Sequence, residues 1–174
     1  MLRLRPTVTE DIPALAEWEA AADTAGWLGE TGPAWHSRAL ADPDQDHLLA
    51  VDVRAPDGQA TDGQAADGRP PDGGVAGFAV LAGLTGGQAI ELRRMAVHPA
   101  RRGTGLGRAL LEAVVARCRE RHGATEVWLD VKGQNHRARA LYESAGFTVT
   151  NSLSATITEP DGTRPELIFM SRRL

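Results

Sequence analysis

The chain has 174 residues, enough for one well-buried core, and its 42% hydrophobic and 24% charged composition is that of an ordinary globular domain. A formal net charge of −4 argues against a nucleic-acid binder, whose surface would be basic, and a single cysteine, Cys118, excludes an internal disulfide and a cysteine-rich metal site. No apolar run reaches the roughly 18 residues of a membrane span, and the first residues lack a signal-peptide core. The expectation is one cytoplasmic domain over 1–174, without metal and without a nucleic-acid or membrane partner.

Residues 2 to 5 alternate like a short strand. Thr7 and Glu10 then stand at capping-box spacing, with Asp11 a further cap candidate, ahead of a helix to about Ala21. A second helix is predicted from about Pro33 to Leu40, ended by an Asp and Pro cluster. The strand candidates "DHLLAVDV" and "VAGFAVLAGL" follow, joined by a connection in which Asp-Gly recurs at Asp57, Asp62, Asp67 and Asp72. With nothing apolar to bury, residues 55–74 read as a flexible hairpin insertion.

"QAIELRRMAVHP" reads as a strand closed by Pro99, and Leu106, Leu110, Ala113, Val114 and Cys118 fall at helical spacing after it. With "TEVWLDV" as the next strand, these segments make a βαβ crossover and hence a parallel pair. "NHRARALYESAG" is a last helix, capped by Asn135 and stopped by Gly146, before a closing hairpin formed by "FTVTNSLSATI" and "ELIFMSRRL". The order predicts an α+β fold with a mixed, mainly antiparallel sheet.

Between the crossover strand and its helix lies "RRGTGLGR". Gly103, Gly105 and Gly107 leave main-chain N–H groups unshielded at a helix start, where they and the helix dipole suit phosphate oxygens, and Arg101, Arg102 and Arg108 add charged donors. A Walker loop needs Gly-Lys-Ser/Thr at its end, and a dinucleotide fingerprint needs a glycine where Arg108 stands; both spacings fail.

"LRRMAVHP", "RRGTGLG" and "NHRARALYESAGF" together resemble the GNAT superfamily of acyl-CoA-dependent N-acetyltransferases. The family's Arg/Gln-x-x-Gly-x-Gly/Ala signature matches Arg102, Gly105 and Gly107, and its later pattern matches Asn135, Ala138, Leu141, Tyr142, Gly146 and Phe147. The strong match covers residues 89 to 148, roughly a third of the chain. The resemblance implies about seven strands flanked by about four helices, with acetyl-CoA as co-substrate in a cleft where two parallel strands splay apart. It implies pantetheine against Met95, Ala96 and Val97 and pyrophosphate on Arg102, Gly103, Thr104, Gly105, Leu106, Gly107 and Arg108, with Asn135, Ala138 and Tyr142 alongside.

Acetyl transfer to an amine needs a neutral amine, donors for a developing oxyanion and stabilisation of a departing thiolate. Tyr142, the only tyrosine, stands where family members commonly use one for the thiolate; otherwise it is an aromatic packing helix on sheet. Glu91 and Asp130 compete as bases, each matching a different branch of the family, and each is also readable as an ordinary strand carboxylate. Trp27, Trp35 and His36 belong to the early helices that line the acceptor pocket in the family, with core packing as the alternative. The implied activity is direct transfer from acetyl-CoA to a primary amine of a small molecule or peptide. The rival is a non-catalytic acyl-CoA sensor or interaction module, and the oligomeric state stays open, a homodimer among the options.

Overall fold

The apolar alternation becomes seven strands in a computed structural model, which describes residues 2–52, 74–154 and 164–174. The strands are β1 (Leu2–Pro6), β2 (Gln45–Asp52), β3 (Val75–Ala82), β4 (Ala89–Val97), β5 (Glu126–Lys132), β6 (Thr148–Ser154) and β7 (Glu166–Arg173). Four longer helices, α1 (Ile12–Ala20), α3 (Pro33–Ala41), α4 (Leu106–His122) and α5 (His136–Ser144), are joined by a single turn of helix, α2 (Ala22–Ala25). The sheet order is β1-β2-β3-β4-β5-β7-β6, antiparallel throughout except for the pair β4–β5. This is the expected α+β architecture, with α4 as the crossover. The closing hairpin folds back so that its second strand, β7, lies between β5 and β6.

β3 explains why "VAGFAVLA" is a continuous apolar run rather than an alternating one. Phe78 and Val80 pack with Leu15 and Trp18 of α1 and Ala39 of α3, while Ala79 and Leu81 join the larger core with Leu110, Leu111, Val114 and Cys118 of α4. A strand covered on both faces has no polar side to write. Cys118 is fully buried, and burial pushes its thiol up to about 12, so it packs as a small apolar residue.

β4 carries a bulge: Val80 faces Arg94 but Leu81 faces Leu92, leaving Arg93 as the extra residue. The slip exchanges the two faces of the strand. Ile90 and Leu92 belong to the α4 side, whereas Ala96 packs with α1 and α3, and Met95 and Val97 now lean on the α4 core. Every residue after 93 therefore points opposite to a regular strand's continuation.

One local expectation is corrected. Thr7 does not cap the first helix; it is buried, and its Oγ1 lies 3.0 Å from His47 Nδ1 across the fold. Asp11 stands at the N-cap of α1 without a side-chain capping bond; its carboxylate accepts from the Val8 N–H at 2.9 Å while pairing with Arg5, and the preceding turn, Thr9–Asp11, is 3-10. The first helix stops at Ala20, because Ala21 takes the non-helical angles φ −57° and ψ 134°. The Asp-Gly insertion expected over 55–74 lies, apart from Gly74, outside the described residues.

Candidate active site

β4 and β5 keep register only where Ala89, Ile90 and Glu91 face Glu126, Val127 and Trp128. Beyond that point β4 stays on β3, β5 stays on β7, and the two strands part. Their facing edges border a cavity of about 1210 Å³ lined by Met95, Ala96 and Val97 on one side and Asp130, Val131 and Lys132 on the other. A splayed edge carries main-chain N–H and C=O groups that an extended ligand can pair with.

The start of α4 forms one end of this cleft. Gly103 and Gly105 have φ of 78° and 84°, the left-handed region that glycine enters without strain, and these angles turn the chain into the helix. Gly107 is different. Its φ is not positive, and a Cβ there would meet only Leu141 Cδ2 at 3.5 Å and Val97 Cγ2 at 3.7 Å, ordinary contact distances. Neither backbone nor packing asks for glycine, and alanine would favour the helix by about 1 kcal/mol. Gly107 lines the cleft, so its missing side chain opens space toward a ligand. The first N–H groups of a helix have no intrahelical partner and carry the positive end of the dipole, which makes this end an anion site.

The arginines divide. Arg102 and Arg108 line the cleft: Arg102 donates through Nε to the Val97 carbonyl at 3.2 Å and through Nη2 to Thr24 Oγ1 at 2.6 Å, and Arg108 reaches Ser144 Oγ at 2.8 Å. Arg101 does not line it. It pairs with Asp52 at 2.7 Å and so ties the loop to β2. Thr104, whose Oγ1 donates to the Arg101 carbonyl at 2.7 Å, and Leu106, which leans on the core, also lie outside the lining. Charged lining residues that sequence reading missed include Lys132, which donates to the Gly26 carbonyl at 2.9 Å, and Arg137.

On α5, Asn135 caps the helix by accepting from the Ala138 N–H at 3.2 Å. That cap sets Ala138, Leu141 and Tyr142, three and four residues apart, along one face that lines the cleft. Burial pushes the Tyr142 hydroxyl up to about 12, with the Asp130 charge adding to it. Asp130 faces the same cleft from β5, and desolvation by the surrounding walls raises its pKa against an opposing pull from Arg93. Glu91 lies outside the lining, 3.0 Å from Arg93 Nη2 in an ion pair. His98 accepts from the Ala100 N–H at 3.2 Å and rests its ring 4.7 Å from Trp18, the behaviour of a turn residue.

Of the three acceptor-side candidates only Trp27, 43% exposed, lines the cleft. His36 is fully buried, 2.8 Å from His47 through the ring nitrogens and 3.2 Å from Glu19. Trp35 stacks on Arg94, whose Cζ sits 3.5 Å from the ring centroid. Desolvation and the neighbouring His36 push His47 down to about 4, so His47 is neutral near pH 7. Arg94, next to Met95, was not singled out by sequence reading, because the bulge that turns it inward leaves no periodic trace. Among the described residues no cluster of His, Cys, Asp or Glu has the makings of a metal site, and no helix is long and apolar enough to cross a membrane.

The model of the acetyltransferase (GNAT) family matches residues 12–147. The chain belongs to that family. Among its GNAT relatives, the mycothiol acetyltransferase of Nocardiopsis dassonvillei is 37% identical over 156 residues, covering 84% of this chain and 45% of that protein. A ribosomal protein bS18-alanine N-acetyltransferase of Escherichia coli is 40% identical over 80 residues, 46% of this chain and 53% of that one. The chain spans about half the length of the curated relatives it matches. The fold of spermidine N-acetyltransferase from Vibrio cholerae, solved with CoA and spermine, superposes with a TM-score of 0.77 at 14% identity, over 99% of this chain and 95% of that one.

Proposed function

We propose that this GNAT chain transfers an acetyl group from acetyl-CoA to a primary amine of a small molecule or peptide, directly within a ternary complex. The observation that carries the proposal is that the glycine turn, the free edge of β4, Asp130 and Tyr142 line one cleft. In this reading the diphosphate of acetyl-CoA rests on the first N–H groups of α4 with Arg102 and Arg108 beside it. The pantetheine arm extends along Met95–Val97, and a main-chain N–H there donates to the oxyanion as the amine attacks the thioester carbonyl.

Asp130 takes the proton lost by the amine. Its raised pKa makes it a better base near neutral pH than a carboxylate at its ordinary value, and it lines the cleft where Glu91 does not. As the carbon–sulfur bond breaks, Tyr142 donates a hydrogen bond to the thiolate. A hydroxyl at about 12 cannot hand its proton outright to a thiolate whose conjugate acid lies near 8.5, so stabilisation rather than full transfer is its role.

The relatives named above act on a ribosomal-protein alanine and on spermidine, which supports a primary amine as the acceptor class. The test is thiol release from acetyl-CoA across α-amino peptides, lysine peptides, polyamines and small amino compounds, alongside calorimetric titration of acetyl-CoA. The proposal expects micromolar-range binding and turnover on at least one amine. Binding with no turnover on any amine leaves the sensor reading, and absence of binding removes both.

A further inference from the structure

A further wall of the cleft is the segment 26–32, of which Trp27, Leu28, Gly29 and Glu30 line the cavity. It contains no helix or strand to hold it. Besides the surface ion pair of Glu30 with Arg38, three hydrogen bonds fasten it. The Gly26 carbonyl accepts from Lys132 Nζ at 2.9 Å, the Glu30 carbonyl accepts from Arg94 Nη2 at 2.6 Å, and the Gly32 N–H donates to Glu19 Oε2 at 3.2 Å.

The last two fastenings meet in one buried ion pair. Arg94 Nη1 donates to Glu19 Oε1 at 2.7 Å, with Glu19 fully buried and Arg94 7% exposed. Trp35 covers the guanidinium face, and His36 lies 3.2 Å from the carboxylate. A buried pair of this kind is seldom the most stable filling for its site; residues of similar volume without charge commonly do as well or better. What charge supplies here is direction: a planar guanidinium holds two acceptors at fixed angles, and a carboxylate holds a second donor on its other oxygen. Arg94 is also the residue before Met95, and the bulge at Arg93 turns it toward α1 and α3 while Met95 turns to the α4 side. The same irregularity thus sets the acyl edge and the anchor of the facing wall.

Resting on the acetyltransfer reading, we infer that Arg94 and Glu19 are positioning residues for the amine acceptor, fixing segment 26–32 at a set distance from the acyl site on Met95–Val97. Neither touches the reacting atoms in this account. They act through the wall they hold.

The test uses the full chain as Arg94→Met, Arg94→Lys and Glu19→Gln, read by amide hydrogen exchange, coenzyme A calorimetry and steady-state kinetics with spermidine and an alanine-initiated hexapeptide as acceptors. Arg94→Met is expected to speed exchange across 26–32 at least tenfold and to leave coenzyme A affinity within twofold. The acceptor KM should rise about tenfold while the acetyl-CoA KM stays within twofold. Arg94→Lys should fail to restore either, because one ammonium cannot span both partners. Unchanged exchange over 26–32 in all three variants, an equal rise in both KM values, or full rescue by lysine would overturn the inference. If the wild-type chain acetylates neither probe, acetyl transfer to these acceptors fails as a reading, and the exchange and coenzyme A arms decide the positioning role alone.

Discussion

The wall of the cleft at the start of α4 is lined by Gly103, Gly105 and Gly107, which carry no side chains, whereas the wall at residues 26–32 is held by the buried charges of Glu19 and Arg94. The first is local: two left-handed glycines and a helix start, all within a few residues. The second joins residues 75 positions apart, Glu19 and Arg94, and closes only when the sheet and the early helices have packed. A helix-start turn of the first kind can be carried between proteins as a short motif. A wall of the second kind depends on contacts distant in sequence, so in the proposed reading it is the part of the cleft free to differ between proteins of one fold.

The sharpest separation of the two walls comes from Asp130, the base in the proposed reading. Asp130→Asn is expected to lower turnover about 100-fold, the low end for a general base, and to leave coenzyme A affinity unchanged. Because the Asp130 pKa is raised, the acidic limb of the wild-type pH–rate profile should sit above the ordinary carboxylate range, and the asparagine variant should lack it. A parallel loss of coenzyme A binding would merge catalysis with the phosphate wall.

Acid should loosen the side that carries segment 26–32 first. His47 has an ordinary value near 6.5 and is pushed down to about 4, so between those values the unfolded chain binds a proton that the folded chain refuses. Its contribution is intact above pH 6.5 and is lost as pH falls toward 4, by about 2 kcal/mol between pH 7 and 4.5. Urea unfolding at both pH values should show His47→Gln with a flatter dependence by that amount. Equal slopes would remove His47 as the acid-labile point.

The smallest effect is expected from Glu91, which faces Arg93 rather than the cleft. Glu91→Gln should change turnover less than twofold, compared with Asp130→Asn under the same conditions. A larger loss from Glu91 would reverse the assignment of the base.

This contrast also explains what could be read from the sequence. The glycine turn, the Asn135 cap, the helical face of Ala138, Leu141 and Tyr142 and the strand segments obey rules that act within one element, so they are legible without the fold. Thr7 shows the limit: its spacing to Glu10 offers a cap, but a partner 40 residues away, His47, takes its hydroxyl. His36 fails in the same way, because the helix spacing that shows it facing inward does not say whether inward is cleft or core. Arg93 and Arg94 look alike in "ELRRM", and only pairing with β3 decides which becomes the bulge and which the anchor. The early helices therefore hid the wall at residues 26–32.

The most direct test is to titrate coenzyme A into the wild-type chain and Gly107→Ala in a calorimeter, with thermal melts of both. Glycine at 107 has no structural task in the protein, so alanine should leave the melting temperature unchanged or higher while weakening coenzyme A at least tenfold. Equal affinity in the two proteins would contradict a diphosphate seated on the first turn of α4.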